Sequence, residues 1–361
     1  IIISLHDKTR STHRLFPKSL SFKKKIMQKV VRITGDGIGI EITEAVSTIL
    51  EQAGAQIEWM DARAGLGAYE ELGSPLPDET VAAIREYKVL LKGPLTTPVG
   101  TGFRSVNVAL RQHFDLYANF RPARTLPSID SPFKQVDMVI FRENTQGLYI
   151  GKERWVDEDK KNRAESIAVV TEQASERIIR AAFEYAVTHD RQKVSLVHKA
   201  NILKFTTGLF LEVGKRVAKE YGGIEFEDLI VDNMAMQMVM RPERFDVVVT
   251  TNLFGDILSD LASGLVGGLG VTGAANMGDE QAMFEAVHGS APDIAGQGKA
   301  NPMALLFSSL MLLEHIGQNK VANNISKAIY KTLVEKKVYC TPDIGGKGTT
   351  QTFTQAVIDN L

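Results

Sequence analysis

"VVRITGDGIGIEITEAV", residues 30 to 46, decides how the chain begins to fold. A β-branched apolar run meets a glycine cluster and passes into an amphipathic pattern: strand, tight turn, helix. Two readings fit that layout. One is a dinucleotide-binding turn, with Gly35, Gly37 and Gly39 around a pyrophosphate and Asp61, about twenty residues on, as the ribose-binding acid. The other is a plain turn whose glycines supply positive φ. The spacing favours the second. A pyrophosphate turn needs G-x-G-x-x-G, whereas this one reads G-x-G-x-G followed by Ile40 and Glu41. Glu41 and Glu44 suit the helix macrodipole but repel a phosphate.

The 361-residue length is comfortable for two domains. An apolar content of 44% with 24% charged residues is that of an ordinary globular chain. The net charge of −1 argues against a nucleic-acid partner, which would call for a basic excess. The lone Cys340 rules out an internal disulfide framework and a multi-cysteine zinc site, and fits a reducing compartment. "MALLFSSLMLL" falls short of the roughly 18 apolar residues of a membrane span. It is broken by Ser308 and Ser309 and reads as a buried helix, so no membrane partner is expected. Residues 1–26 carry Lys8, Arg10, Arg14, Lys18, Lys23, Lys24 and Lys25 against Asp7 alone. That composition suits an organelle-targeting segment, or a stretch upstream of a start at Met27. The expectation is weak order there, no part in the fold, and a cytoplasmic location, or the mitochondrial matrix if the segment targets.

Strand-like runs ("KVVRI", "AQIEWM", "KVLLK", "DMVIF", "ESIAVV", "KVSLV", "FDVVVT") alternate with helical patterns such as "TEQASERIIRAAFEYAVT" and "GDILSDLASGLVGG". The alternation predicts an α/β fold with a largely parallel sheet covered on both faces. The polar stretch "GLYIGKERWVDEDKKNR", with Trp155 at its centre, breaks it and reads as an exposed loop or an inter-subunit arm.

Arg111 lies on a helix-like segment, while Arg121 and Arg142 follow strand-like runs, where a parallel sheet presents its ligand crevice. A lone arginine is usually a solvated charge, but three at element ends suit bidentate capture of carboxylates. Asp256 and Asp260 share one helix face in "NLFGDILSD". They are two solvated acids or two ligands of a hard cation such as Mg²⁺ or Mn²⁺, to which Asp232 could add a third carboxylate. Lys199 in "VHKAN" and Tyr149 in "GLYIG" are a surface lysine and a loop anchor, or a pair of proton-transfer groups. "HGSAPDIAGQGKANP", from His288, is a loop whose small residues allow close backbone approach to a ligand.

These stretches, with "GDGIG", "KGPLTTP", "DLYANFRP" and "RENTQGLY", resemble in order the metal-dependent β-decarboxylating dehydrogenases of the isocitrate/isopropylmalate dehydrogenase family. The resemblance runs from about Val30 to the C-terminus. It implies that family's own α/β fold, not the Rossmann fold, so Asp61 loses its ribose role. The implied organisation is an extension at 1–26, a large cofactor-side domain at 27–116 and 267–361, and a smaller dimerisation and metal domain at 117–266 with an arm at about 148–164. The implied activity is NAD-dependent oxidative decarboxylation of isocitrate with Mg²⁺ or Mn²⁺. Substrate contacts would be Lys92, Ser105, Asn107, Arg111, Arg121 and Arg142, and metal ligands Asp232, Asp256 and Asp260. Lys199 would assist removal of the C2 hydroxyl proton, and Tyr149 would protonate the enolate carbon. NAD would lie against Thr97, Asn201, His288, Gly289, Ala291, Asp293, Ile294 and Asn301. The family's shared site implies a homodimer, with Lys199 and Asp232 coming from the neighbouring subunit. Ser105 and Asn107 match the isocitrate pattern. Asp293, Ile294, Pro342 and Gly346 stand where NADP-dependent members carry phosphate-binding residues. Homoisocitrate is the alternative substrate, and a non-catalytic regulatory subunit the alternative class. Gln146 departs from the glutamate usual in "RENTQGLY".

Overall fold

The structure, a computed structural model, describes residues 27–98 and 103–361, so the expectations placed on residues 1–26 lie outside the described residues. The strands are β1 (Gln28–Ile33), β2 (Ile57–Asp61), β3 (Val89–Lys92), β4 (Ala118–Arg124), β5 (Asp137–Glu143), β6 (Glu153–Trp155), β7 (Ala164–Ser166), β8 (Lys193–His198), β9 (Glu225–Ile230), β10 (Val247–Thr250), β11 (Gly273–Met277) and β12 (Ala282–Ala286). The helices are α1 (Gly39–Gln52), α2 (Leu66–Leu72), α3 (Asp78–Tyr87), α4 (Val106–His113), α5 (Glu172–Thr188), α6 (Thr206–Ala218), α7 (Val231–Met240), α8 (Asn252–Val266), α9 (Met303–His315), α10 (Asn319–Glu335) and α11 (Thr350–Ile358). No helix among the described residues is long and apolar enough to cross a membrane. The "MALLFSSLMLL" run is α9, buried against β11, β12 and α10.

The glycine turn is a clamp, not a phosphate cradle. Asp36 N donates to Pro94 O (2.8 Å) and Ile38 N to Ser290 O (2.9 Å). The Asp36 carboxylate accepts from Leu66 N (3.1 Å), Gly67 N (3.2 Å) and Thr96 N (2.7 Å). One turn thus ties together the loop after β3, the start of α2 and the loop after β12. Gly37 sits at φ +56, and a Cβ there would collide with the Ser290 carbonyl. Asp61 is spent on Arg32 across the β1–β2 pair (2.7 and 3.0 Å).

Ten strands form one sheet in the order β2-β1-β3-β12-β11-β4-β5-β10-β8-β9. Its two flanks are parallel, as the alternation predicts, but the centre is not. β12–β11, β11–β4 and β4–β5 are all antiparallel. The expectation of a largely parallel sheet is corrected there, because "ANFRPAR", "GAANM" and "AMFEA" are too rich in small and polar residues to read as strands alone. "ESIAVV" is corrected as well. Its first two residues pair in the small β6–β7 hairpin, Val169 makes an isolated bridge to Gly147, and Ile167 is exposed.

The antiparallel centre sets up the site. Cross-strand neighbours point to the same face. Glu285 of β12 is level with Lys92 of β3 and with Ala274 of β11. Asn276 of β11 is level with Asn119 of β4, which is level with Arg142 of β5. Arg121, two residues beyond Asn119, shares that face. A row of polar side chains therefore crosses the middle of the sheet, and α8 lies over its β4–β5 part.

Gly37→Ala should lose at least about 2 kcal/mol more unfolding free energy than Gly54→Ala, read from urea midpoints. Gly54 also has positive φ (+79) but nothing within 4 Å of its Cβ position. Equal losses would mean that the clamp needs its glycine for φ alone.

Candidate active site

Arg142 is 1% exposed, and its guanidinium is fully engaged. Nε and Nη2 donate to Asn252 Oδ1 (3.0 and 2.8 Å), and Nη1 donates to Asp256 Oδ1. Arg121 donates to Ser259 Oγ (2.6 Å) and Asp260 Oδ1 (3.3 Å). Asn252, Asp256, Ser259 and Asp260 lie on one face of α8, so a single helix supplies the counter-charges for two strand arginines. Gly255 makes the approach possible, because a Cβ there would press into the Arg142 backbone and stem. Arg142 is the last residue but one of β5, at a strand end as expected, whereas Arg121 lies in the middle of β4, on the sheet face.

The charges perturb one another. Burial, with Arg111 and Arg121 nearby, lowers the Arg142 pKa to about 9. Burial opposes the charge on Asp256, but Arg142, Tyr149 and Arg121 outweigh it and hold its carboxyl below the usual value. Asp260 goes the other way, raised by burial and by Asp256. The Tyr149 hydroxyl donates to Asp256 Oδ2, and its ring lies under the Arg142 guanidinium, 5.1 Å from the centroid. Burial, then that bond, raises its pKa and keeps it a proton donor.

Arg111 on α4 belongs to the same charge group but binds a different acid, Glu285 Oε1 (2.8 Å). Lys92, 1% exposed, binds Glu285 Oε2 (2.9 Å) and Gly93 O (2.9 Å), so its ammonium reaches the crevice only through that carboxylate. Asn276 donates to Glu285 (2.8 Å) and accepts from Asn119 and Asn144 (2.9 Å each). The sequence reading missed Glu285 and these asparagines. An acid inside "AMFEAV" was the available signal, since a charge in a buried run must be paired. Ser105 caps α4, accepting from Val108 N (3.4 Å). Asn107 Oδ1, Arg111 Nε and Arg121 Nε are buried without a partner. These orphaned polar atoms are what an oxygen-rich ligand would satisfy.

The structure does not bring Lys199 and Asp232 to this cluster. They bind each other (2.5 Å) after β8 and at the start of α7, and no hydrogen bond or ion pair joins them to Asp256 or Asp260 among the described residues. No three His, Cys, Asp or Glu side chains there are arranged to hold a metal. One chain offers a hard cation the Asp256–Asp260 pair, a suitable but incomplete donor set.

Of the expected cofactor residues, Thr97 and those from His288 to Ile294 lie on the two loops that the glycine clamp holds, while Asn301 lies just before α9 and Asn201 is exposed after β8. Thr97 is exposed beside Thr96, whose Oγ1 bonds Ser290 Oγ (2.7 Å). His288 Nδ1 contacts Gly289 O (2.9 Å), its Nε2 is buried without a partner, and burial lowers its pKa. Ala291 has positive φ (+37), and Ile294 packs on the core. Asp293 is exposed, with no ion pair among the described residues. Asn301 is tied to Asp343 (2.9 Å) and Met303 N (3.0 Å). The orphan on His288 and the free Asp293 carboxylate fit a polar cofactor on this loop.

Residues 29–360 match the family described as isocitrate/isopropylmalate dehydrogenase. The NAD isocitrate dehydrogenase catalytic subunit 5 (mitochondrial) of Arabidopsis thaliana is 47% identical over 328 residues, 91% of this chain and 87% of that protein. The isocitrate/homoisocitrate dehydrogenase of Thermus thermophilus is 47% identical over 336 residues, 92% and 98% of the two chains. The crystal structure of isocitrate dehydrogenase from Methylococcus capsulatus superposes with a TM-score of 0.90 at 54% identity, covering 92% of this chain and 99% of that one.

Lys92 and Arg111 hold the Glu285 carboxyl far below the usual range, against its burial. A depressed folded value contributes stability above the ordinary value of about 4.3, which is lost as pH falls below it. Glu285→Gln should cost about 3–5 kcal/mol at pH 7 and flatten the acid limb of a urea-melt pH series. A mutant with unchanged acid dependence would remove Glu285 from that role.

Proposed function

The chain belongs to the isocitrate/isopropylmalate dehydrogenase family, and from that premise we propose that it oxidatively decarboxylates isocitrate to 2-oxoglutarate and CO₂, using NAD and Mg²⁺ or Mn²⁺. The chain is a β-decarboxylating dehydrogenase of the isocitrate/homoisocitrate type. The observation that carries the finer reading is the meeting of Arg111, Arg121 and Arg142 with Tyr149, Asp256 and Asp260 on one sheet face. Three guanidinium groups suit the carboxylates of a 3-substituted malate, which isocitrate and homoisocitrate share. Ser105 and Asn107 on the adjoining helix offer hydrogen bonds that an apolar substituent would waste.

When bound, the nicotinamide supplies the hydride acceptor at C2 and the divalent cation supplies Lewis-acid polarisation of the C2 oxygen. The arginines fix the substrate carboxylates and hold the C3 carboxylate where it can leave. Asp256 and Asp260 would hold the cation. Tyr149, kept protonated, delivers its proton to C3 after CO₂ has gone. Lys199 assists removal of the C2 hydroxyl proton, and Asp232 completes the cation's ligands, both from a second copy of the chain. An exposed apolar surface supports that second copy: Met236, Val239 and Met240 of α7, Ile257 of α8, and Ile202, Leu203 and Phe205 before α6. Asp293 would accept from the ribose hydroxyls and repel a 2′-phosphate. Gly346 supports NAD too, since a Cβ there would collide with the Cys340 carbonyl and leaves no room for a phosphate-binding side chain.

The first test is turnover of isocitrate with Mg²⁺, comparing NAD⁺ and NADP⁺ by kcat/KM. At least a tenfold preference for NAD⁺ is expected, about 1.4 kcal/mol; the reverse would overturn the Asp293 argument. Faster turnover of homoisocitrate would keep the chemistry and change the substrate. Tyr149→Phe should lower kcat about a hundredfold with KM nearly unchanged.

The shared site has its own check. Lys199→Met and Asp256→Asn should each be inactive alone. Co-expressed, they should form mixed dimers with one intact site and recover about a quarter of wild-type activity. No recovery in verified mixed dimers would place the whole site within one subunit.

A further inference from the structure

Gln146 stands at the base of the arm, and its bonds close that base. Its Oε1 accepts from Thr171 N (2.9 Å), and its Nε2 donates to Thr171 Oγ1 (3.0 Å). Thr171 is the N-cap of α5, whose Oγ1 also accepts from Ala174 N (3.3 Å). The residues between, 147–170, form the arm, which includes Tyr149 and the β6–β7 hairpin with Trp155. Just beyond Gln146 the backbones pair, Gly147 N to Val169 O (2.8 Å) and Val169 N to Gly147 O (3.3 Å). The backbone of Gln146 faces the other way. Its N–H donates to Glu143 Oε2 (2.9 Å), and its carbonyl accepts from Asn252 Nδ2 (3.0 Å). Asn252 is the residue that takes two bonds from Arg142. The space bounded by Glu143, Gln146, Gly147 and Asn252 is about 10 Å³, no more than one water could use.

We propose that Gln146 is a positioning residue that clips the two ends of the arm together and so fixes Tyr149, three residues on, against Asp256. It touches no reacting atom. It acts by removing the freedom of the short turn from Gly147 to Gly151, whose end glycines both have positive φ (+77 and +67). A tyrosine on so short a tether loses its aim when the tether swings, and displacement of about 1 Å is enough to slow chemistry. Gln146 meets both polar groups of Thr171 as a neutral group. A glutamate could also do so, by accepting from Thr171 N and from the Thr171 hydroxyl, but would set a second carboxylate beside Glu143. The amide thus keeps the clip and drops the like-charge contact.

This rests on the functional reading above for its kinetic arm but not for its structural one. The experiment compares Gln146→Leu, which removes both bonds at similar volume, with Gln146→Glu, which keeps both. Trp155 is the reporter, in a Trp59→Phe background that leaves it as the sole tryptophan. Gln146→Leu should lower kcat with isocitrate about ten- to a hundredfold with KM within about threefold, and lower the steady-state fluorescence anisotropy of Trp155. Gln146→Glu should stay within about twofold of wild type in both. Thr171→Val, which removes one of the two clip bonds together with the N-cap bond from Ala174 N, should shift both readouts in the same direction. Wild-type kcat and anisotropy in Gln146→Leu would overturn the proposal, as would equal loss in the Leu and Glu variants. If wild type turns over no isocitrate, the functional reading fails, and the anisotropy of the three variants decides the clip by itself. If Gln146→Leu does not fold, Thr171→Val decides it by the same two readouts.

Discussion

Arg142 can be buried only because Asn252 and Asp256 come to meet it, and that requirement organises the centre of the molecule. A guanidinium taken out of water without partners carries a desolvation penalty of several kcal/mol. Arg121 and Arg111 add like charge to the same region. The fold answers with acids in two places, Asp256 and Asp260 from the helix above and Glu285 from β12, on the far side of β11. Glycine at position 255 follows from the same need, since α8 must come close enough to β5 for its carboxylate to reach the arginine. What looks like a catalytic inventory is first an electrostatic solution. The proposed ligand site is the part of it left unsatisfied: the orphaned Arg111 and Arg121 Nε atoms and the Asn107 side-chain carbonyl.

The parts legible in the sequence were those with a local signature. Strands β1, β2, β3, β8 and β10 of the parallel flanks, with α1, α5, α8 and α9, announce themselves by period or by β-branched runs, and Asp256 and Asp260 share a face by helical spacing alone; β9, "EFEDLI", carries three acids in six residues and was passed over. The central strands were illegible because they are built to carry polar cargo. "ANFRPAR" and "GAANM" hold Asn119, Arg121 and Asn276 where a strand pattern calls for apolar residues. Glycine and alanine make room for those side chains. The arginines were legible as a group, and Arg142 does end β5, but Arg121 sits mid-strand, because the strand-end rule belongs to parallel sheets and β4 is antiparallel to both of its neighbours. Glu285 was invisible for a related reason. Its partners Lys92 and Arg111 lie far away in sequence, and only the register of β12 on β3 brings them to it.

The opening glycine turn shows how a motif can be right in geometry and different in purpose. Gly37 has the positive φ that a nucleotide turn would use, yet the groups pressed against it are protein carbonyls. Asp36 gathers three backbone donors, leaving none of them open to a phosphate. The turn still serves the expected cofactor loop, by holding Ser290 in place from behind.

The reversal of strand direction at the sheet centre has a mechanical side. Three register pairs join β11 to β4, against seven between β4 and β5. The strands on one bank come from residues 28–92 and 273–286, and those on the other from 118–250. Lys92 and Glu285 belong to the first bank, with Arg111 bound to them, and Arg121, Arg142 and Tyr149 to the second. A flexure along that seam would leave each bank's ion pairs intact while changing the gap between Arg111 and Arg121. Bending at that seam is the motion that would change the span between those two guanidinium groups, and Asn276, bonded across it to Asn119 and Asn144, is the contact it would strain first.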